Sequence, residues 1–222
     1  MTIINTSFAF VFVHIPKCGG TSICNALAPL CTVMDIELGG TAFGQKIQSA
    51  YLERHGLDKH STAQEIRAIL GREQWLKFTS FAAVREPLSR LESAYSFLRS
   101  WDSHSNYLFD QLNQFESFAE FVASDVWQSD PGPDRIFKPQ VRWVANERED
   151  ELLVDHLCHV ESLDTAIASV LRELGVKPSL VPAAVPRLNV TPGRILSEEL
   201  PDELNNRVRS FYAQDYTMLG YP

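Results

Sequence analysis

Residues 10–22, FVFVHIPKCGGTS, constrain this chain more than any other stretch. Phe10 to Val13 are the aromatic and β-branched residues that suit a strand buried on both faces, and Pro16, which donates no backbone hydrogen bond, ends it. Gly19 and Gly20 let the backbone turn with positive φ and approach a ligand closely, while Thr21 and Ser22 suit the start of a helix. The helix continues as SICNALAPL and stops near Pro29. A strand, a glycine turn, a helix N-terminus and the mobile cation of Lys17 together make an anion site, with phosphate or sulfate as the expected ligand. The spacing is not that of the nucleotide triphosphatase loop, GxxxxGK[ST]. There the lysine follows the last glycine, whereas Lys17 precedes both.

At 222 residues, 45% of them hydrophobic, the chain has the size and composition of one packed α/β domain. A formal charge of -8 argues against a nucleic-acid binder, which relies on net basic surface, and more weakly against a highly sulfated glycan as acceptor. Cys18, Cys24, Cys31 and Cys158 form neither a CxxC pair nor a disulfide-dense pattern, so a zinc site is not expected. With no signal-like segment and no apolar run of bilayer length, the expectation is a protein of a reducing compartment, the cytoplasm, without a transmembrane segment.

Further along, CTVMDIELGG suggests a short strand and turn, AFGQKIQSAYLERHG a helix, and HSTAQEIRAILG a second helix capped by Ser61 or Thr62. This puts His60 at a loop-to-helix junction, able to face a cleft. KFTSFAAV, 77–84, reads as a second central strand, followed by Arg85, Glu86 and a helix opened by Pro87. Residues 101–143, rich in aromatics, Asp, Ser and Pro, read as an acceptor-shaping excursion with a helix at FESFAEFVA and a turn at SDPGPD; their rings suit stacking on a neutral sugar. LLVDHLCHV reads as a strand, ESLDTAIASVLRELG as a helix ended by Gly175, and PDELNNRVRSFYAQDYTMLGY as one terminal helix.

VREPLSRLESAY, 84–95, places Arg85 at a strand end and Ser93 on the following helix, an arrangement that can hold one phosphate from two sides. The alternative is that Arg85 and Arg90 are surface cations paired with Glu86 or Glu92.

HIPKCGGTS resembles the 5′-phosphosulfate loop of carbohydrate sulfotransferases, usually HIPKTGGTS, with Cys18 at the threonine. VREPLSRLESAY resembles their 3′-phosphate motif, RDPxxRxxSxY, with Glu86 for Asp. The likeness extends through KHSTAQEI, FKPQVRW, HVESL, LRELGV, RLNVT and FYAQDYTMLGY, and the chain resembles a bacterial-type member of that family related to heparan sulfate 2-O-sulfotransferase. The resemblance implies a single domain over 1–222, a three-layer α/β/α fold with a central parallel sheet of the P-loop nucleotide-hydrolase-like kind, and transfer of the sulfuryl group of 3′-phosphoadenosine 5′-phosphosulfate (PAPS) to a carbohydrate or other hydroxyl without a metal. It implies that Pro16, Lys17, Cys18, Gly19, Gly20, Thr21, Ser22, Arg85 and Ser93 bind the donor, with Lys17 also catalytic, and that His60 is the base. His55 and Glu53 are the rivals for that role. His14 is expected to orient the loop, His156 and His159 to lie in a strand, and His104 to face acceptor or solvent. Lys138 and Arg142 belong to a loop within reach of nucleotide or acceptor, and Asn189 to a turn. A phosphotransferase and a silent nucleotide-binding protein are the competing classes.

Overall fold

The computed structural model describes residues 1–100, 108–129, 135–188 and 200–222. His104, residues 130–134 of the expected turn and Asn189 lie outside them. The elements run β1 (Thr2–Asn5), β2 (Phe10–Val13), α1 (Gly20–Leu27), β3 (Ile36–Leu38), α2 (Ala42–His55), α3 (Ala63–Leu70), α4 (Arg72–Trp75), β4 (Thr79–Val84) and α5 (Pro87–Ser100). They continue with α6 (Phe109–Leu112), α7 (Phe118–Ala123), α8 (Val126–Ser129), α9 (Val141–Val144), β5 (His156–His159), α10 (Leu163–Glu173), α11 (Asp202–Phe211) and α12 (Ala213–Met218). They form two compact units: Met1–Val84 with Gln140–Leu188, and Arg85–Pro139 with Asn189–Pro222.

The first unit holds a five-stranded sheet in the order β3-β1-β2-β4-β5, flanked by helices. β2 pairs with β4 and β4 with β5 in parallel, in the registers Phe12↔Phe81 and Ala83↔Cys158. β1 is antiparallel to both its neighbours, so the sheet is mixed and not parallel throughout. The reason is chain length. Only Thr6–Ala9 separate β1 from β2, whereas a parallel crossover needs a dozen residues or more. Asn5 makes the tight return: its Oδ1 accepts from Phe8 N at 2.8 Å, and its buried amide donates to Leu30 O at 2.9 Å. Phe10, Val11, Phe12 and Val13 are wholly buried, as a strand covered on both faces requires.

β5 is shorter than the apolar run LLVDHLCHV suggests. Asp155 stands at its N-terminal side: its N–H still donates to Ser80 O at 2.9 Å, but its carboxylate accepts from both Ser80 N and Ser80 Oγ at 2.8 Å, so a side chain takes the Ser80 N–H in place of a backbone carbonyl. α3 starts at Thr62 with a reciprocal capping box: Thr62 Oγ1 accepts from Glu65 N at 3.1 Å and Glu65 Oε2 from Thr62 N at 2.7 Å, which stabilises the helix by about 1 kcal/mol.

The second unit is helical. Its core gathers Tyr95, Phe118, Phe121, Trp127, Phe137 and Tyr212, with Tyr95 and Phe121 stacked at 4.7 Å. Phe118, Phe121, Trp127 and Phe137 are therefore interior rings rather than a surface for stacking sugars, which corrects the reading for these four; Trp101 and Tyr107 lie outside the described residues. The terminal helix breaks between α11 and α12 at Tyr212, a buried residue whose hydroxyl donates to Phe137 O at 2.6 Å. Among the described residues, no helix is long and apolar enough to cross a membrane.

Candidate active site

The loop between β2 and α1 is shaped by two left-handed residues, Lys17 with φ of 69° and Gly19 with φ of 75°. For a lysine this conformation costs about 1 kcal/mol or more, and such strain gathers at functional turns. The two bends flank Cys18 and turn its side chain inward. Cys18 is fully buried, and its thiol donates to Oε1 of the equally buried Gln140 at 3.1 Å. The thiol therefore faces the interior. Gln140 belongs to the KPQVRW segment, but its hold on the loop spans 122 positions and no spacing rule reveals it.

The two glycines are required for different reasons. Gly19 supplies the positive φ of the α1 N-cap. Gly20 supplies close approach: a β-carbon there would overlap the imidazole of His14, with the third-nearest ring atom, Cε1, still only 2.8 Å away. Beyond them, the first turn of α1 directs its amides out of the helix end. Thr21 is exposed, Pro16 is buried, Lys17 is half-buried, and Ser22 Oγ accepts from Leu188 N at 3.1 Å.

The His14 ring stacks on that of His60 at 4.5 Å with 28° between planes. His60 is pinned along its backbone, with its N–H donating to Asp58 Oδ1 at 2.6 Å and its carbonyl accepting from Trp143 Nε1 at 2.9 Å. His60 Nδ1 lies 3.3 Å from His14 O. A carbonyl only accepts, so this contact assigns the ring proton to Nδ1 and the lone pair to Nε2, the tautomer a base acting through Nε2 needs. His14 Nδ1 lies 3.3 Å from Lys59 O and also meets the Met1 amino group. Burial, reinforced by repulsion from that amino group and from His60, holds His14 well below the usual histidine range, so it stays neutral.

Of the rivals to His60, His55 and Glu53 sit exposed on α2, His55 against Tyr51 with ring centroids 5.5 Å apart. His156 and His159 are the two ends of β5, and His156 Nε2 lies 3.3 Å from Glu173 Oε1. Arg142 is an exposed partner of Glu149 at 3.2 Å. Lys138 is half-buried and offers its carbonyl to Arg90.

In the helical unit, Arg85 precedes α5, and Ser89 and Ser93 lie one turn apart on that helix. Arg85 Nε donates to Ser89 Oγ at 3.1 Å, which adds a hydroxyl that motif reading had passed over. Glu86 caps α5: Oε2 accepts from Ser89 N at 2.6 Å and Oε1 from Leu88 N at 3.1 Å. Arg90 is no surface cation. It is 1% exposed and donates to Ile136 O at 3.0 Å and Lys138 O at 2.9 Å. Among the described residues, no three His, Cys, Asp or Glu side chains cluster to hold a metal.

Neither a curated protein nor a solved structure matches the chain. One family profile does, described as "Sulfotransferase family", and it spans residues 1–222. By that full-length match, and with a glycine-turned loop between a buried strand and a helix N-terminus, the chain belongs to the sulfotransferase family.

Proposed function

We propose that this protein transfers the sulfuryl group of PAPS to a hydroxyl of a carbohydrate or small glycan, by in-line displacement, on a P-loop-like fold of the branch related to heparan sulfate 2-O-sulfotransferase, in the cytoplasm. The observation that carries the reading is the β2–α1 loop, in which Lys17 and two glycines lead into a helix N-terminus, the kind of place that favours an anion. Its residues suit a 5′-phosphosulfate: a β-carbon at Gly20 would displace His14, so that position presents backbone alone.

The donor, when bound, supplies a sulfuryl group activated as a mixed anhydride. Lys17 and the loop amides stabilise the charge that builds on the bridging oxygen, and they do so without reorganising. Arg85 and Ser93 hold the 3′-phosphate, the arginine through charge-assisted hydrogen bonds. His60 takes the acceptor proton at Nε2. Its neutral neighbour His14 adds no positive charge to oppose the imidazolium that forms.

Thermal melts with adenosine 3′,5′-bisphosphate, set against ATP with magnesium, test the reading. At a hundredfold excess over Kd the bisphosphate stabilises by about 2.7 kcal/mol. For a chain of this length that is a rise in Tm of roughly 5–10 °C. A larger rise with ATP would overturn the proposal, and a bisphosphate rise without transfer of labelled sulfate to any glycan would reduce it to a binding protein.

A further inference from the structure

Tyr216, on α12, has no part in the chemistry described so far, yet its hydroxyl donates to Glu86 Oε1 at 2.8 Å across 130 positions of sequence. Glu86 stands next to Arg85 and carries the amides of Leu88 and Ser89, the first turn of α5. We infer that Tyr216 is a positioning residue for the 3′-phosphate clamp, acting through Glu86 on Arg85 and Ser89; this rests on the proposed role of Arg85 and Ser93.

A carboxylate beside the arginine of a phosphate site opposes the phosphate unless its charge is turned away and shared among donors. Two amides and one phenol share the charge of Glu86. The amides belong to the helix itself, whereas the phenol comes from a distant segment and bears on the angle of the carboxylate. That angle in turn sets Ser89, whose hydroxyl holds Arg85 Nε. Tyr216 is itself held: the Arg209 guanidinium lies 4.6 Å over its ring, and Arg209 Nη1 donates to Pro222 O at 3.0 Å. Burial and the carboxylate push the phenol's pKa upward, so it remains a donor throughout the working pH range. Tyr216 and Glu86 face a polar cleft of about 440 Å³, also lined by Asp202, Asn205 and Arg209. Water from this cleft can replace the lost phenol, so removing the hydroxyl loosens the carboxylate without leaving it dry.

The test is calorimetric binding of adenosine 3′,5′-bisphosphate and of adenosine 5′-monophosphate to wild type, Tyr216→Phe, Glu86→Gln and the double variant. Wild type should prefer the bisphosphate. Tyr216→Phe should weaken bisphosphate binding by about five- to twentyfold, a part of what one hydrogen bond to a charged group is worth, and leave the monophosphate unchanged. In the Glu86→Gln background, where no charge needs steering, the same substitution should have little effect. Equal weakening of both ligands, or of neither, would overturn the inference. If wild type itself shows no preference, the 3′-phosphate clamp fails and the inference with it. Should Tyr216→Phe not fold, Glu86→Asp carries the same comparison, since its shorter carboxylate still caps α5 but falls away from the phenol.

Discussion

Gly20→Ala isolates the role of His14. Gly20 is helical and its φ is not in the left-handed region, so alanine meets no backbone objection there and would by itself favour the helix by up to about 1 kcal/mol. The objection is the imidazole, since the new methyl occupies the space of the His14 ring. The ring has little room to yield, with His60 stacked at 4.5 Å and Lys59 O at 3.3 Å from Nδ1. Overpacking a dense interior costs about 1–3 kcal/mol, and a rigid two-ring stack belongs at the upper end. After the helix gain the net loss is about 1–2 kcal/mol, a drop in Tm of roughly 2–8 °C. Denaturant melts of wild type, Gly20→Ala, His14→Ala and the double variant form a cycle that measures the contact directly. With the ring gone, the alanine should cost nothing, so the coupling should exceed about 1 kcal/mol. Additive single effects would refute the steric argument and return Gly20 to being an ordinary helix-start glycine.

His60→Ala should lower turnover by about two to four orders of magnitude while leaving bisphosphate affinity within about twofold; unchanged turnover would remove His60 as the base. Cys18→Thr keeps a donor toward Gln140 Oε1 and should shift donor affinity only slightly, whereas Cys18→Val leaves that buried oxygen without it and should cost about 1–3 kcal/mol in a denaturant melt. Equal stability of the valine variant and wild type would count against the thiol bond. Because His14 is neutral in the fold and its pKa lies below the ordinary 6.5, the unfolded chain takes up a proton that the folded chain refuses as pH falls. Stability should therefore decline below about pH 6.5 by as much as about 1.4 kcal/mol per unit, and be indifferent to this group above it. Denaturation of wild type and His14→Gln from pH 7 to 5 checks this, and equal slopes would exclude His14 as the source.

The strand, loop and helix of residues 10–30 were legible because three local signals agree there: an apolar run, a proline stop and a glycine turn. So was the junction that carries His60, through the hydroxyls of Ser61 and Thr62, of which Thr62 is the cap. β1 was not, because four residues are too few for an alternation to stand out. The limits of β5 depend on the Asp155 carboxylate intercepting Ser80, and the break at Tyr212 on a hydroxyl reaching Phe137. Both are long-range side-chain events that periodicity does not record. The site shows the same division. Residue types suited to contact an anion sit in local motifs, whereas the groups packed behind them, Gln140 against Cys18 and Tyr216 against Glu86, come from distant segments.

The bond between Cys18 and Gln140 also bears on how the protein is born. As synthesis proceeds, the nascent chain has β1, β2 and β3 before the rest of the sheet, as a hairpin with one added strand. It then carries an unfinished sheet whose open edge, first β2 and later β4, invites pairing with other chains until β5 arrives. The glycine loop is made well before its brace at Gln140, which follows 122 positions later. The loop thus takes its braced shape only once the late part of the chain is made, and a truncated product ending before residue 140 would bear the glycine-loop motif without that clasp.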